Sequence, residues 1–215
     1  TRRDAIPTPL LQGFPDMGRH TNWHYVDYNF SPDRTPFPPL ETPNALTELR
    51  RMIDILGKPV DDSSNPVYAL PWFLHIGGDV HNPLHDVSRY SHDLPQGDRG
   101  GNNVFVTGQN LHAFWDGLGG SNMSQAYVDA FATQIEGEYK ANQKTYLPEI
   151  DPEVWTLEGF NNARKVVYSF GLPNGSQEHP IVLSKAYKSK AKSLGKRQLA
   201  AAGIRLAAVL NGHLN

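Results

Sequence analysis

The 215-residue chain contains no cysteine, which excludes disulfides and thiolate metal sites but leaves the compartment open, because exported bacterial proteins often lack cysteine. No apolar run approaches the roughly 20 residues needed to span a bilayer. Charge of one sign is also missing: Lys+Arg number 20 against Asp+Glu 22, a net charge of -2 with histidines neutral. There is no global basic field to hold duplex nucleic acid, so a phosphate group would have to be gripped locally. Neither an initiator methionine nor a signal peptide opens the chain, which reads as a soluble, processed or trimmed product. Internal repeats and low-complexity segments are absent, and the length suits one domain, 1–215.

What is present is a concentration of histidine. Of nine histidines, His75, His81, His85, His92 and His112 fall within residues 75–116. His75 and Asp79 stand four apart in a segment of helical character, and His112 and Asp116 repeat the spacing in a second. Side chains at i and i+4 share one helix face, so each pair can close on a metal ion as two teeth of a clamp. Imidazole nitrogen with carboxylate oxygen is the ligand set of catalytic zinc with open coordination positions.

The opening 40 residues are rich in proline and turn signals, which points to an extended loop over a core. Within them NWHYVDYNF reads as a short strand or packed loop with a buried His24. Thr42 followed by Pro43 predicts the start of a helix ending at Gly57, with Leu46, Leu49, Ile53 and Leu56 on one face. Residues 61–65 read as a polar turn. The following segment, with Leu70, Trp72, Phe73, Leu74 and Ile76, is apolar on most sides and predicts a buried helix. That would place His75 and Asp79 inside the protein, where a carboxylate is costly unless paired or metal-bound. NNVFVTG suggests a strand, NLHAFWDGL a helix, and 122–141 and 151–170 amphipathic helices, the second opened by Asp151 and Pro152. Residues 181–214 read as one or two more, anchored by Leu199, Ile204, Leu206, Ala207 and Leu210. The basic run KAYKSKAKSLGKR reads as a solvated face, since interleaved aromatic residues are absent from it. Helix after helix with few strands gives a mainly α fold whose site is assembled from helix faces and loops.

HIGGDVHNPLH, then GGN, then NLHAFWD, resembles the signature of the zinc-dependent single-strand-specific nucleases, which share a helical fold with bacterial zinc phospholipases C. The likeness extends upstream to WHYVD and downstream to LSKAYKSKAK and QLAAAGIRLAAVLN. It implies a single-domain phospholipase C/nuclease-like helical fold with a metal cluster in a cleft, hydrolysing phosphodiesters of single-stranded RNA and DNA, together with 3'-nucleotidase activity. Carried over by motif, His24, His75 and Asp79 would hold one Zn2+ and His85, His112 and Asp116 another, with Asp79 bridging toward a third. Asp27 matches the acid that orients the attacking water. Tyr25 matches an aromatic that stacks on the nucleobase, and Asn102 lines the same pocket. His81 has no ligand role in that pattern and reads as a support for the ligands or as a structural residue. The family's chain begins with a tryptophan that completes the third site; TRRDAIP does not, so the native N-terminal segment is expected to be missing, with Asp16 and Asp4 unassigned as substitutes. The resemblance further implies a secreted or periplasmic protein with nucleic acid or nucleotides as substrate, no stable membrane insertion and no protein partner. Two other readings stay open: a zinc phospholipase C and a non-catalytic domain stabilised by zinc.

Overall fold

A computed structural model describes residues 18–59, 65–140 and 149–213. The expected opening loop up to residue 17, with Asp4 and Asp16, and most of the turn at 61–65 lie outside the described residues. Among the described residues six α-helices run in order: α1 (Ala45–Leu56), α2 (Pro66–Asp79), α3 (Leu111–Asp116), α4 (Gln125–Lys140), α5 (Pro152–Asn162) and α6 (Lys185–His213). The described strands are short: β1 (Tyr28–Phe30) pairs in parallel with β2 (Val87–Arg89), and β3 (Phe105–Val106) pairs antiparallel with β4 (Gln109–Asn110). The mainly helical expectation holds.

Helix starts follow side-chain chemistry. The cap of α1 is Asn44, two residues beyond the expected Thr42. Its carboxamide oxygen accepts the Thr47 N–H at 3.1 Å, while the Thr47 hydroxyl accepts the Asn44 N–H at 2.9 Å, a reciprocal capping box. Asn65 caps α2, accepting the Tyr68 N–H at 3.0 Å, with Pro66 in the first turn. Asn110 caps α3 at 2.7 Å to the Ala113 N–H, and Asp151 caps α5 at 3.0 Å to the Glu153 N–H. In α5 the α-helix ends at Asn162 and one π turn, Ala163–Val167, carries the chain on.

Among the described residues two large apolar cores form, with a small third cluster of Tyr139, Ala200 and Ala201 between α4 and α6. Leu46, Leu49, Met52 and Leu56 of α1 meet Ala69, Phe73 and Ile76 of α2, closed by Trp155 of α5 and Val209 of α6. The second core joins Leu84, Val87, Val104, Leu111 and Trp115 to Val166, Val167 and Leu194. Each fully buried side chain such as Leu49 or Phe73 contributes about 1.5–3 kcal/mol. The long α6 touches both cores, and so ties the helix bearing His75 to the helix bearing His112.

Three expectations need correction. Helix α2 is not buried all round: Val67 and Leu74 are exposed, and His75 and Asp79 sit half-buried at the edge of the first core. Helix α4 keeps most of its surface in solvent, Tyr139 being its one fully buried side chain among the described residues. In α6, a single helix, Leu199 and Ala207 are exposed, and the buried stripe runs through Ala191, Leu194, Gln198, Ala202, Arg205 and Val209. Two polar residues, Gln198 and Arg205, enter that stripe, and Arg205 is held there by the partners described below.

Candidate metal centre and its cleft

Residues far apart in sequence are drawn together by β1 and β2. Their register places Tyr28 opposite Val87, and the ladder continues outward as the Val26 N–H donates to the His85 carbonyl at 2.8 Å. The 3-10 turn Thr21–His24 therefore lies against the 3-10 turn Pro83–His85, beside the end of α2. His24 is only half-buried, so the expected buried histidine is instead partly open to solvent.

Two groups of ligand atoms form. In the first, Asp79 Oδ2 lies 2.9 Å from His24 Nδ1 and 3.2 Å from His75 Nε2, and the two nitrogens are 2.9 Å apart. In the second, His112 Nε2 lies 3.5 Å from Asp116 Oδ2, and the His85 and His112 rings are 4.9 Å apart. In each trio the candidate ligand atoms lie within 4.8 Å of one another. The hydrogen bonds of the second trio set its tautomers: His85 Nδ1 meets the His24 carbonyl at 2.6 Å and His112 Nδ1 meets the Gly100 carbonyl at 2.7 Å. A carbonyl only accepts, so each Nδ1 carries the proton and each Nε2 keeps its lone pair. That is how metal-binding histidines are commonly held, and the donor set fits a divalent ion such as zinc. Asn82 donates to Asp116 Oδ1 at 2.7 Å and fixes the carboxylate further.

The electrostatics fit the same use. Burial raises the Asp79 carboxyl, but hydrogen bonds from His24 and His75 outweigh it and bring it down to about 2. Burial lowers the His85 imidazole and favours its neutral, ligating form. Gly100 makes the approach possible: its φ is +60°, and a Cβ there would fall 2.3 Å from the Leu84 carbonyl oxygen.

Beside the second group, Tyr25, Asp27, Arg99, Asn102, His85 and His112 line a cavity of about 210 Å³. The structure thus places Tyr25, Asp27 and Asn102 around one space. Tyr25 is 39% exposed, leaving ring surface open to a ligand. Asn102 donates to the Arg99 carbonyl at 2.8 Å. Asp27 adopts φ 33°, uncommon for a residue other than glycine. Burial, then the nearby Asp98 and Glu41 charges, push its carboxyl up to about 6, while Arg99 pulls the other way.

His81 belongs to neither group. It is buried, with Nδ1–H donating to the Gly77 carbonyl at 2.6 Å and Nε2 accepting from Arg205 at 3.0 Å. Arg205 also donates to Glu158 at 2.5 Å. Burial, together with the Arg205 charge, lowers the His81 imidazole to about 4, so it serves as a neutral strut between α2 and α6. Sequence reasoning missed Arg99, whose side of the cavity shows only when the chain folds; its place before GG was the available signal. It also missed Asp86, a fully buried carboxyl next to His85 whose oxygens have no hydrogen-bond partner among the described residues. Burial, then Glu158 and Asp79, push it well above the usual range. Gly159 gives it room, since a Cβ there would lie 1.7 Å from Asp86 Oδ2.

A mainly helical fold that brings together two His/His/Asp groups able to hold metal ions defines the class of arrangement. The family model S1/P1 Nuclease matches residues 13–215, and the chain belongs to that family. It is 29% identical to Nuclease S1 of Aspergillus oryzae over 170 residues, covering 70% of this chain and 55% of the relative. Endonuclease 2 of Arabidopsis thaliana is also 29% identical, over 167 residues, covering 68% of this chain and 52% of that protein. The chain therefore spans about half the length of the curated relatives it matches.

Proposed function

We propose that this chain is a zinc-dependent nuclease that hydrolyses phosphodiester bonds in single-stranded RNA and DNA, with 3'-nucleotidase activity at the same centre, and that it acts after export from the cytoplasm. The observation that carries the reading is the pair of His/His/Asp groups, the second of which opens through His85 and His112 onto a cavity lined by Tyr25, Asp27 and Arg99. Divalent ions bound there supply hydroxide at neutral pH and neutralise charge on the phosphoryl group.

The chain's own residues do the rest. His24, His75 and Asp79 fix one position, and His85, His112 and Asp116 the other. Asp27, ionised above a pH of about 6, accepts a hydrogen bond from the attacking water and aims it. Arg99 presents a fixed positive charge to the phosphate. Tyr25 takes a base on its exposed face with Asn102 alongside, and a base inside a duplex would first have to unstack, at a cost of a few kcal/mol. Among the described residues no helix is long and apolar enough to cross a membrane.

The test compares nucleotide release from a single-stranded oligonucleotide and the matching duplex with phosphocholine release from a lecithin emulsion, before and after chelation. Hydrolysis of the single strand that is lost to chelator and restored by zinc supports the reading. Preferential hydrolysis of lecithin, or none of the nucleic acids by the zinc-loaded chain, refutes it.

A further inference from the structure

Helix α6 spans 29 residues and contains no aspartate or glutamate, yet it carries Lys185, Lys188, Lys190, Lys192, Lys196, Arg197 and Arg205. Lys188, Lys192 and Lys196 recur every four residues, which puts them in one row about 6 Å apart along the helix. Like charges at i, i+4 weaken a helix by tenths of a kcal/mol per pair, so the row gains nothing for α6 itself. Lys196 is paired with Glu138 of α4 at 3.0 Å. Among the described residues Lys188 and Lys192 have no acidic partner within ion-pairing distance.

The row forms one wall of a cavity of about 460 Å³. Its opposite side is aromatic: Tyr127 and Phe131 of α4 lie with rings nearly parallel, 6° apart at 6.0 Å, and Phe114 of α3 completes the lining. The Tyr127 hydroxyl donates to the Gly119 carbonyl at 3.1 Å, which anchors the start of α4 to the turn that follows α3. The one aromatic residue of the basic segment, Tyr187, has its hydroxyl bound to the Val167 carbonyl and to Trp115, and the rings of the groove are supplied by two other helices. Lys188 and Lys192 are exposed, as a solvated face requires, and the rings lie within reach of them across the groove.

The groove also leads to the metal centre. A neighbouring cavity of about 210 Å³ runs from Asp79, His85 and Asp116 to Leu118 and Gly195, and Leu118 lines both spaces. Gly195 lets α6 approach closely, since a Cβ there would touch the Leu118 side chain at 3.2 Å. The Tyr25 cavity opens beside His85 and His112 and does not include Leu118, so the two routes leave the centre by different walls.

We propose that the groove between α4 and α6 is a second binding track for single-stranded nucleic acid, in which Lys188 and Lys192 hold phosphates while Phe131 and Phe114 receive bases. A chain of phosphates and flat bases is the ligand whose charge and shape match a cationic row facing aromatic rings. As a track for substrate the groove rests on the function proposed above, because a strand cut at the centre must continue past Leu118. Its existence as a binding site does not.

Two measurements separate the two ideas. The metal-loaded chain is titrated with a fluorescent oligothymidylate of about 16 nucleotides carrying cleavage-resistant phosphorothioate linkages, at salt from about 50 to 200 mM. In parallel the same chain hydrolyses a dinucleotide, too short to reach the groove. Lys188→Gln with Lys192→Gln should flatten the plot of log affinity against log salt by about 1.4, at about 0.7 per phosphate contact removed. Over that salt range the variant then loses about sevenfold less affinity than the unaltered chain. Phe131→Leu keeps apolar packing and should weaken binding about fivefold or more without changing the slope. Dinucleotide hydrolysis should be unchanged in both. An unaltered slope and affinity in the lysine variant overturn the proposal, and an unaltered affinity in Phe131→Leu overturns its base-binding part. Absence of dinucleotide hydrolysis in the unaltered chain refutes the nuclease reading and leaves the titration to decide the groove.

Discussion

Asp27→Asn should stabilise the protein while abolishing its hydrolytic activity. In the fold the carboxyl is pushed from 3.8 up to about 6, chiefly by burial and then by Asp98 and Glu41. The folded state therefore holds this proton more tightly than the unfolded chain does. Stability must fall as pH rises from about 3.8 to about 6, and the full penalty stands above that window. At 1.36 kcal/mol per pH unit the gap amounts to about 3 kcal/mol, reduced toward about 2 by the solvent that still reaches the group. Asparagine has the same shape and no charge to bury, so it escapes the penalty. For a chain of this size the gain corresponds to about 4–12 °C in Tm. Thermal melts of both proteins in chelator, at pH values from about 3.5 to 7.5, give the comparison. The variant should gain its advantage across the window and show none below about 4. An Asp27→Asn protein that is equal or less stable at neutral pH would refute the argument, because the carboxylate would then be stabilised rather than strained.

Asp79→Asn should empty the first group and abolish hydrolysis, since one oxygen, Oδ2, contacts both His24 and His75; zinc content and rate report it, and unchanged values would deny that oxygen its central place. His112→Ala should remove metal from the second group alone, because its partners His85 and Asp116 come from other turns than His24 and His75. Complete metal loss with an intact far-ultraviolet spectrum would show the groups to be one. Tyr25→Ala should weaken nucleotide binding by about 1–3 kcal/mol, the worth of one stacked base, at constant zinc content. An unchanged KM on oligonucleotides would place the base elsewhere.

Local features of this fold were legible in sequence where the physics is local. The i, i+4 spacing of His75 with Asp79, and of His112 with Asp116, follows from helix geometry alone, and both pairs lie on helices. The proline and aspartate opening α5 were equally readable. Position in the third dimension was not. Nothing in the spacing says that β1 and β2 bring the His24 turn to His85, or that Arg99 joins Asp27 around one cavity; the motif resemblance supplied His24, Asp27 and Tyr25, and it was silent on Arg99. The α1 cap was misplaced because threonine before proline is a strong local signal, and the reciprocal bonds of Asn44 and Thr47 outweigh it. The buried stripe of α6 was misread because it contains Gln198 and Arg205, and Arg205 is admitted by Glu158 and His81 on other elements. The lysines of α6 are exposed as read, but nothing local says that α3 and α4 bring aromatic rings to the same groove.

The two His/His/Asp groups are the centre of the account, and counting metal tests them most directly. Elemental analysis of the purified chain, after dialysis against zinc and then against metal-free buffer, should find about two zinc ions per chain, one for each group of three ligands. A content below about one per chain, in protein that is folded, would contradict the metal centre and the function built on it.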